Sequence, residues 1–285
     1  MAKIAVIGDI HHHFTDADVA YFNQSEEELL LFVGDLADYR PRRAYPIVER
    51  MARLKKTAVY LPGNHDAVTF PQLVGEVKRW PWLIQLGSMG QRWRVHALRK
   101  RLGPVVIGGY SHHHYPLSDL EITVIAARPH AMGGPHLAFA PYLRRQFGIR
   151  TLTESAARLK MCIDQAPTTR LIFLGHNGPT GLGNEQADLW GKDFDRRGGD
   201  WGDPDLREAI DYAREAGKDV TAVFAGHMHH ALKFGGQRRW HMVKNGTHYV
   251  NAGRVPRISG SGEHHYVQLT VTDSETKVIE IVRQM

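Results

Sequence analysis

Residues 4–11 read IAVIGDIH, and residues 29–38 read LLLFVGDLAD. Each stretch is a short apolar run that ends at a glycine and is followed at once by an aspartate. Such runs are typical of buried strands in an α/β sheet, and glycine lets the chain turn sharply where a strand ends. The two stretches therefore predict strands with an acidic side chain at the carboxyl end of each.

Further apolar runs alternate with helical patterns as far as residue 225. After residue 231, short strands are predicted to follow one another as a meander, at 231–234, 239–243, 248–250, 266–271 and 277–282. The order indicates an α/β fold with two sheets in a single domain over residues 1–285. The earlier elements are helices at 45–55, 154–165 and 204–216, and strands at 57–61, 105–109, 170–174 and 220–225.

Two passages fit neither the helical nor the strand period. Residues 111–141 are rich in Pro, Gly and His, and a loop or cap insertion is expected there. Residues 177–203 are rich in Gly and are expected to form a long loop of the kind that often serves function.

Composition excludes several classes of protein. The 285 residues are 42% hydrophobic and 23% charged, proportions that exclude disorder, collagen and coiled coils. The single cysteine, Cys162, cannot form an internal disulfide, and no signal peptide or apolar run long enough for a bilayer is visible. A soluble cytoplasmic protein without a membrane partner is expected. The formal net charge of +6 favours anionic partners, of which phosphates are the simplest.

Five short polar clusters follow predicted strands, and each begins at or next to a glycine. The carboxyl ends of the strands in an open α/β sheet collect ligand-binding residues, so the clusters are expected to converge. Their carboxylate, imidazole and amide donors, without thiolate, suit Mn, Fe, Zn or Ni. The donors exceed the needs of one ion, which predicts two ions roughly 3.5 to 4 Å apart that share a carboxylate. The clusters are Asp9-Ile10-His11, Gly34-Asp35-Leu36-Ala37-Asp38, Gly63-Asn64-His65-Asp66, Gly175-His176 and Gly226-His227-Met228-His229.

In this order the clusters resemble the signature of the calcineurin-like metallophosphoesterase family: D-x-H, G-D-x-x-D, G-N-H-D, G-H and G-H-x-H. Every motif is complete. The resemblance implies a four-layer αββα sandwich of two mixed β-sheets flanked by helices, with a dinuclear metal centre at the sheet edge. It further implies one ion on Asp9, His11 and His229, a second on Asn64, His176 and His227, and a bridging Asp35.

The resemblance also implies that His65, paired with Asp38, stands beside the metals without ligating them. The expected function is metal-dependent hydrolysis of a phosphodiester or phosphomonoester, with a small nucleotide-like substrate favoured. Two divalent ions, with Mn expected by resemblance, would supply a metal-bound hydroxide as the nucleophile. His65 and Asp38 are the candidate catalytic residues beside that centre. Candidate substrate contacts are His112 and His113 after a strand, and Arg254 after a late strand.

Two other functions remain open on the sequence. A Mn-dependent nuclease acting on DNA or RNA would use the same metals with an open basic groove, and residues 92–101 and 144–150 are basic with interleaved aromatics. Ordinary solvated faces explain those stretches better, so nucleic acid is not the favoured partner. A non-catalytic scaffold on the same fold is disfavoured because no ligand is missing. The oligomeric state cannot be read from the sequence.

Overall fold

The computed structural model describes residues 1–118 and 120–285, which form twelve β-strands and eight α-helices. A short 3₁₀ turn at Pro41–Ala44 precedes the second helix. The strands are β1 (Ala2–Ile7), β2 (Leu29–Phe32), β3 (Thr57–Tyr60), β4 (Val106–Ile107), β5 (Ser111–Leu117), β6 (Leu120–Ala126), β7 (Arg170–Leu174), β8 (Asp219–Ala225), β9 (His241–Lys244), β10 (Thr247–Asn251), β11 (Glu263–Val271) and β12 (Thr276–Gln284). The helices are α1 (Asp16–Gln24), α2 (Tyr45–Met51), α3 (Phe70–Lys78), α4 (Pro81–Gly87), α5 (Gln91–Arg101), α6 (Ala140–Phe147), α7 (Leu152–Asp164) and α8 (Pro204–Glu215).

The strands form two mixed sheets of six strands each within the described residues. The first has the order β12-β11-β1-β2-β3-β4. Strands β1 to β4 are parallel to one another, and β11 runs antiparallel to both of its neighbours, β1 and β12. The second has the order β5-β6-β7-β8-β10-β9, with antiparallel strands at both edges. The predicted pair of mixed sheets is confirmed.

The sheets pack face to face with helices on their outer sides. Because side chains alternate along a strand, Ile4 and Val6 of β1 lie between the sheets, whereas Ala5 and Ile7 point toward the outer helices. Helices α1, α2 and α5 cover the first sheet, and α6, α7 and α8 cover the second. The central strands are buried on both faces, which explains their continuous apolar runs. The layers are therefore helix, sheet, sheet and helix.

The passage 111–141 is more regular than the sequence indicated. Residues 111–117 and 120–126 form the antiparallel hairpin β5–β6 of the second sheet; Asp119 lies outside the described residues. The expectation of a loop or cap insertion is therefore wrong for these strands. β5 is an edge strand with partly exposed faces, so its three consecutive histidines are tolerated and hide the strand pattern. Irregular structure remains at 127–139, before α6.

The strands after residue 231 do not form one meander. β9 and β10 join the second sheet, where β10 runs parallel to β8, whereas β11 and β12 return to the first sheet beside β1. Residues 231–234 form no strand, and Ala231 makes only an isolated bridge to Gln237. Local periodicity predicts that a segment is extended but does not specify its partner, which is why the sheet assignment was missed.

A buried ion-pair network joins the irregular segment after β6 to the start of α8. A guanidinium nitrogen of Arg128 lies 2.5 Å from Asp203 Oδ1, and its Nε lies 2.8 Å from Asp205 Oδ2. All three side chains are almost fully buried, and the Ser155 hydroxyl also donates to Asp205. Asp203 precedes α8 but makes no capping hydrogen bond, because its carboxylate is turned toward Arg128.

Helices α3, α4 and α5 occupy the connection between β3 and β4. The sequence predicted no element over residues 70–87. Across residues 1–118 and 120–285, no helix combines the length and the apolar character needed to cross a bilayer.

Candidate metal centre

The carboxyl ends of β1, β2 and β3 in the first sheet meet those of β7 and β8 in the second. The polar clusters that follow these strands consequently converge, as hydrogen bonds between their backbones show: His11 N–H donates to the carbonyl of Asp35 at 2.7 Å. The structure brings together all seven side chains predicted as metal ligands. They are Asp9, His11, Asp35, Asn64, His176, His227 and His229.

One group of donors lies on the Oδ2 side of Asp35. His11 Nε2 is 3.7 Å from that oxygen and 3.3 Å from Nε2 of His229. His229 Nε2 is in turn 3.6 Å from Oδ2 of Asp9. Donors bound to one ion at about 2.0 to 2.2 Å lie about 3 Å or slightly more from one another. The observed separations match donors that surround a common point.

A second group lies on the Oδ1 side of the same carboxylate. Asn64 Oδ1 is 2.8 Å from His176 Nε2 and 2.8 Å from His227 Nδ1. His176 Nε2 is also 3.4 Å from Asp35 Oδ1. The two oxygens of Asp35 thus face two different sets of donors, which is the arrangement of a carboxylate that bridges two ions.

The chemistry of these donors fits a cation. Burial lowers the pKa of His11 to about 4 and that of His227 well below its ordinary value, so both rings are neutral and their lone pairs available. Burial, followed by the nearby Asp35, raises the pKa of Asp9. Asp9 Oδ1 is buried and has no hydrogen-bond partner within 1–118 and 120–285. A divalent ion would satisfy that oxygen and stabilise the buried negative charge.

The backbone of the centre adopts strained conformations. Asp9, His11, Asp35 and His227 have φ values of 24°, 37°, 51° and 66°, in the region that non-glycine residues rarely occupy. Such strain persists only where surrounding contacts over-determine the conformation, and it is concentrated at functional sites. Four of the seven predicted ligands are among the residues strained in this way.

Glycines at the strand ends permit close packing around the carboxylates. A Cβ atom on Gly63 would lie 2.3 Å from Asp35 Oδ1, and one on Gly226 would lie 2.5 Å from Asp9 Oδ1. A Cβ on Gly253, after β10, would lie 2.7 Å from Asp9 Oδ2. The glycines of the motifs therefore have a steric role beside the donors in addition to turning the chain.

Asp66 ties two of the clusters together, a role that the sequence analysis did not assign. Its carboxylate accepts hydrogen bonds from the backbone N–H groups of Asp35 and Leu36 at 2.8 Å and of Gly63 at 2.7 Å. All these groups are buried. In the sequence, the only sign of this role is that Asp66 is the last residue of the G-N-H-D motif. In the structure, its carboxylate positions the loop that carries Asp35.

His65 stands beside the centre but is not paired with Asp38. Its Nε2 is 2.6 Å from the Tyr39 hydroxyl and 3.7 Å from Asp35 Oδ2. Asp38 is about one-third exposed and binds Arg43 at 2.7 Å. The structure thus differs from the expected pairing, because the chain after β2 turns Asp38 outward and places Tyr39 against the imidazole. His65, His11 and Asp35 could also hold an ion between them.

His130 is a buried neighbour of the G-N-H-D loop that sequence reasoning did not single out as part of the site. Its Nδ1 lies 2.8 Å from the Gly63 carbonyl, and its backbone N–H donates to Pro62 at 2.8 Å. Burial lowers the pKa of its ring to about 4. The neutral ring donates from Nδ1 and holds the loop in place.

Among the described residues, no side-chain hydrogen bond or ion pair joins the three predicted substrate contacts to the ligands. His112 and His113 lie on β5, two strands from β7; His113 lines a cavity of about 640 Å³ bounded by α5, β4 and α6. Arg254 follows Gly253, close to Asp9, but its guanidinium lies 3.5 Å from Glu280. Their contact with substrate therefore remains a prediction.

The long loop at 177–203 packs against the G-H-x-H cluster. Trp190 is buried, and its Nε1–H donates to the carbonyl of Gly226 at 3.2 Å. The side-chain amide of Asn251 donates to the carbonyls of Leu189 at 2.8 Å and Met228 at 2.7 Å. The loop therefore supports the turn that carries His227.

A solved phosphatase structure supports this architecture. Comparison with curated proteins gives no match. A dimetal phosphatase from Danio rerio has a TM-score of 0.54 at 10% identity, covering 99% of this chain and 96% of that chain, which supports the fold. A metallophosphoesterase from Sphaerobacter thermophilus is 14% identical with a TM-score of 0.36, over 99% and 88% of the two chains.

A family model described as calcineurin-like phosphoesterase matches residues 2–231. The match includes all five clusters and ends just after the last predicted ligand, His229. Two groups of side chains that could hold a metal share Asp35, as a dinuclear centre requires. The chain belongs to the calcineurin-like phosphoesterase family and is by class a phosphoester hydrolase.

Proposed function

We propose that the protein hydrolyses a small phosphodiester or phosphomonoester, with a nucleotide-like substrate favoured, at a dinuclear metal centre. The observation that carries the proposal is Asp35, whose two oxygens face separate donor groups. Asp9, His11 and His229 would hold one ion, and Asn64, His176 and His227 the other.

Divalent ions, with Mn favoured and Fe, Zn or Ni as alternatives, would supply Lewis-acid activation of water and of the phosphoryl oxygens. The chain contributes two ligating carboxylates against the charge of two cations, so the centre would retain a positive charge suited to a phosphate. Asp66 holds the loop of Asp35, and His130 holds the carbonyl of Gly63. These contacts would keep the donors in place during turnover.

His65 is the proposed catalytic residue outside the ligand set. Its ring lies between Asp35 and Tyr39, at the edge of the centre, where it would contact phosphoryl or leaving-group oxygens. Burial raises the pKa of Tyr39, so its hydroxyl stays protonated where it contacts His65 Nε2 at 2.6 Å. Tyr39 thus takes the orienting role that the sequence analysis gave to Asp38.

A substrate panel tests the proposal. The purified protein, with added Mn, is assayed with bis-p-nitrophenyl phosphate, p-nitrophenyl phosphate, cyclic nucleotides and single-stranded DNA. Hydrolysis of the small esters supports the proposed substrate class, whereas salt-sensitive release of fragments from DNA would instead favour the nuclease. A protein that neither retains metal nor hydrolyses any ester would refute the proposal and favour a scaffold.

His65→Ala is expected to lower kcat by about 10²-fold or more while leaving the metal content unchanged. His96→Ala, at an exposed position on α5, is the matched control and should keep wild-type activity. Metal analysis accompanies both assays. Loss of both metals in His65→Ala would make His65 a ligand and contradict its proposed place beside the centre.

A further inference from the structure

Helices α3 and α4 form a hairpin, here called the α3–α4 hairpin (70–87), that is attached to the protein mainly by polar contacts. The helices approach closely at glycines: a Cβ on Gly75 would lie 2.7 Å from the backbone of Ile84. Gln72 donates from its side chain to Gln91, and Arg94 donates to the carbonyl of Gly87 at 3.1 Å. The hairpin is therefore ordered without insertion into a hydrophobic core.

No large apolar side chain of this hairpin is fully buried: Leu73, Val74, Leu83 and Ile84 are partly buried, and the others are exposed. Within the described residues, none of the three hydrophobic clusters includes any residue from 69 to 94. The buried positions of the two helices are instead Gln72, Gly75 and Gly87. A short helix depends on the burial of its apolar face for most of its stability. The large apolar residues exposed here and just beyond are Phe70, Val77, Trp80, Trp82, Leu86, Met89 and Trp93.

The net positive charge of the protein lies in the hairpin taken together with α5, the helix that follows it and carries five of the seven cations. Residues 69–104 contain seven Lys or Arg and a single acidic residue, Glu76. The rest of the chain has 29 of the 36 Lys and Arg and 29 of the 30 Asp and Glu, so its formal charge is zero. The segment 69–104, here called the cationic helical segment, therefore carries the whole net charge of +6.

We propose that the cationic helical segment docks peripherally on an anionic membrane surface. The indole rings of Trp80 and Trp82, stacked with their centroids 6.4 Å apart, would lie at the headgroup boundary, where tryptophan is favoured. Lys78 and Arg79, both exposed beside them, would contact lipid phosphates. The proposed docking departs from the sequence-based expectation of a protein without a membrane partner.

Charge and side-chain type favour this occupant over two others. A second copy joined through the same face would bring two strongly positive surfaces together, which costs energy. Single-stranded nucleic acid would use the tryptophans and arginines but not the exposed aliphatic Val77, Leu86 and Met89. A lipid surface satisfies the aliphatic, aromatic and cationic groups at once.

Docking would place the metal centre close to the membrane. Phe70, the first residue of α3, has its ring 6.2 Å from that of Tyr39, and the Tyr39 hydroxyl contacts His65. The hairpin therefore begins at the rim of the centre. Lipid binding itself requires no hydrolysis, so it can be measured independently of the proposed function.

Vesicle co-sedimentation tests the proposal with the full chain in its metal-loaded form. Vesicles of phosphatidylcholine alone are compared with vesicles that contain an equal amount of phosphatidylglycerol. Binding is expected to the anionic vesicles, to weaken at high salt, and to shift tryptophan emission to shorter wavelength, since three of the six tryptophans are exposed on this segment.

Two double variants identify the surface. Lys78→Gln with Arg79→Gln is expected to weaken partitioning about 30-fold, equivalent to about 1 kcal/mol for each cation near an anionic surface. Trp80→Ser with Trp82→Ser should remove most of the emission shift, leaving that of Trp93, and most of the binding. Matched controls are Lys55→Gln with Lys277→Gln and Phe194→Ser with Phe234→Ser, which change exposed residues elsewhere and should bind as wild type.

Several outcomes would overturn the proposal. Equal binding to neutral and anionic vesicles, or equal losses in the variants and their controls, would exclude docking by this segment. An anisotropy titration with a thymidine oligonucleotide that is sensitive to the tryptophan variant, without vesicle binding, would identify nucleic acid as the partner. A dimer seen by analytical ultracentrifugation and abolished by Trp80→Ser with Trp82→Ser, again without vesicle binding, would identify a second copy. Unchanged melting temperatures establish that the variants are folded.

Discussion

Replacing Asp66 with alanine removes the common acceptor of three buried backbone N–H groups. They belong to Asp35, Leu36 and Gly63, and their hydrogen bonds measure 2.7 to 2.8 Å. A buried donor left without a partner costs about 1 to 3 kcal/mol. Local relaxation and entry of water reduce the sum, so we expect Asp66→Ala to lower the free energy of unfolding by about 3 to 5 kcal/mol.

The same substitution should weaken metal binding although Asp66 is not a predicted ligand. The lost hydrogen bonds hold the backbone of Asp35 and of Gly63, so the bridging carboxylate would lose its fixed position. Removing such supporting contacts typically lowers metal affinity about 10- to 100-fold. Urea unfolding measures the stability, and titration with Mn followed by metal analysis measures the affinity.

Asp200→Ala is the matched control. Asp200 also accepts three hydrogen bonds, from Thr180, Gly181 and Gly202, but it lies partly exposed in the long loop. Water can replace those bonds, so the loss of stability should be less than half of that in Asp66→Ala, with metal affinity unchanged. If Asp66→Ala loses no more stability than the control and keeps its affinity for Mn, the structural role given to Asp66 is wrong.

Gly63→Ala should abolish metal retention in metal analysis, because the added methyl lies within 2.3 Å of an Asp35 oxygen, while far-ultraviolet circular dichroism stays that of a folded protein. Arg128→Met leaves two buried aspartates without their cation and should cost about 3 to 5 kcal/mol in urea unfolding at neutral pH; an unchanged midpoint would contradict the buried pairing. Burial raises the pKa of Glu76 to about 7 from 4.5, so the protonated form is favoured in the folded state and stability falls as pH rises from about 4.5 to about 7. Glu76→Gln should therefore gain roughly 1 to 3 kcal/mol over wild type at pH 8 and little at pH 4, measured by urea unfolding at both values.

The parts of the fold that could be predicted are those that depend on short patterns of neighbouring residues in the sequence. β1, β2, β3, β7 and β8 are apolar runs that end at glycine, and the polar side chains after them form the candidate centre. Both regularities depend on one strand and the turn that follows it. A strand that is covered on both faces is apolar along its whole length, and a metal-binding residue at the sheet edge comes directly after its strand. Both the strand and the ligand can therefore be recognised without knowledge of distant residues.

Contacts made over long distances in the chain were not predictable in this way. The histidines of β5 disguise an edge strand, and β11 and β12 show nothing local that would assign them to the sheet of β1. The partner of His65 depended on the direction of the loop after β2, which turned Tyr39 inward and Asp38 toward Arg43. Sequence spacing does not encode such directions.

Seven side chains with metal-binding chemistry are visible in the linear order of residues, because each follows one of five strand ends. The division of the Asp35 oxygens between two donor groups, the three hydrogen bonds of Asp66 and the uncovered face of the α3–α4 hairpin emerge only when the two sheets and their loops are assembled. The reason is physical: donor type is a property of one residue, whereas distance and burial are properties of segments that meet in space.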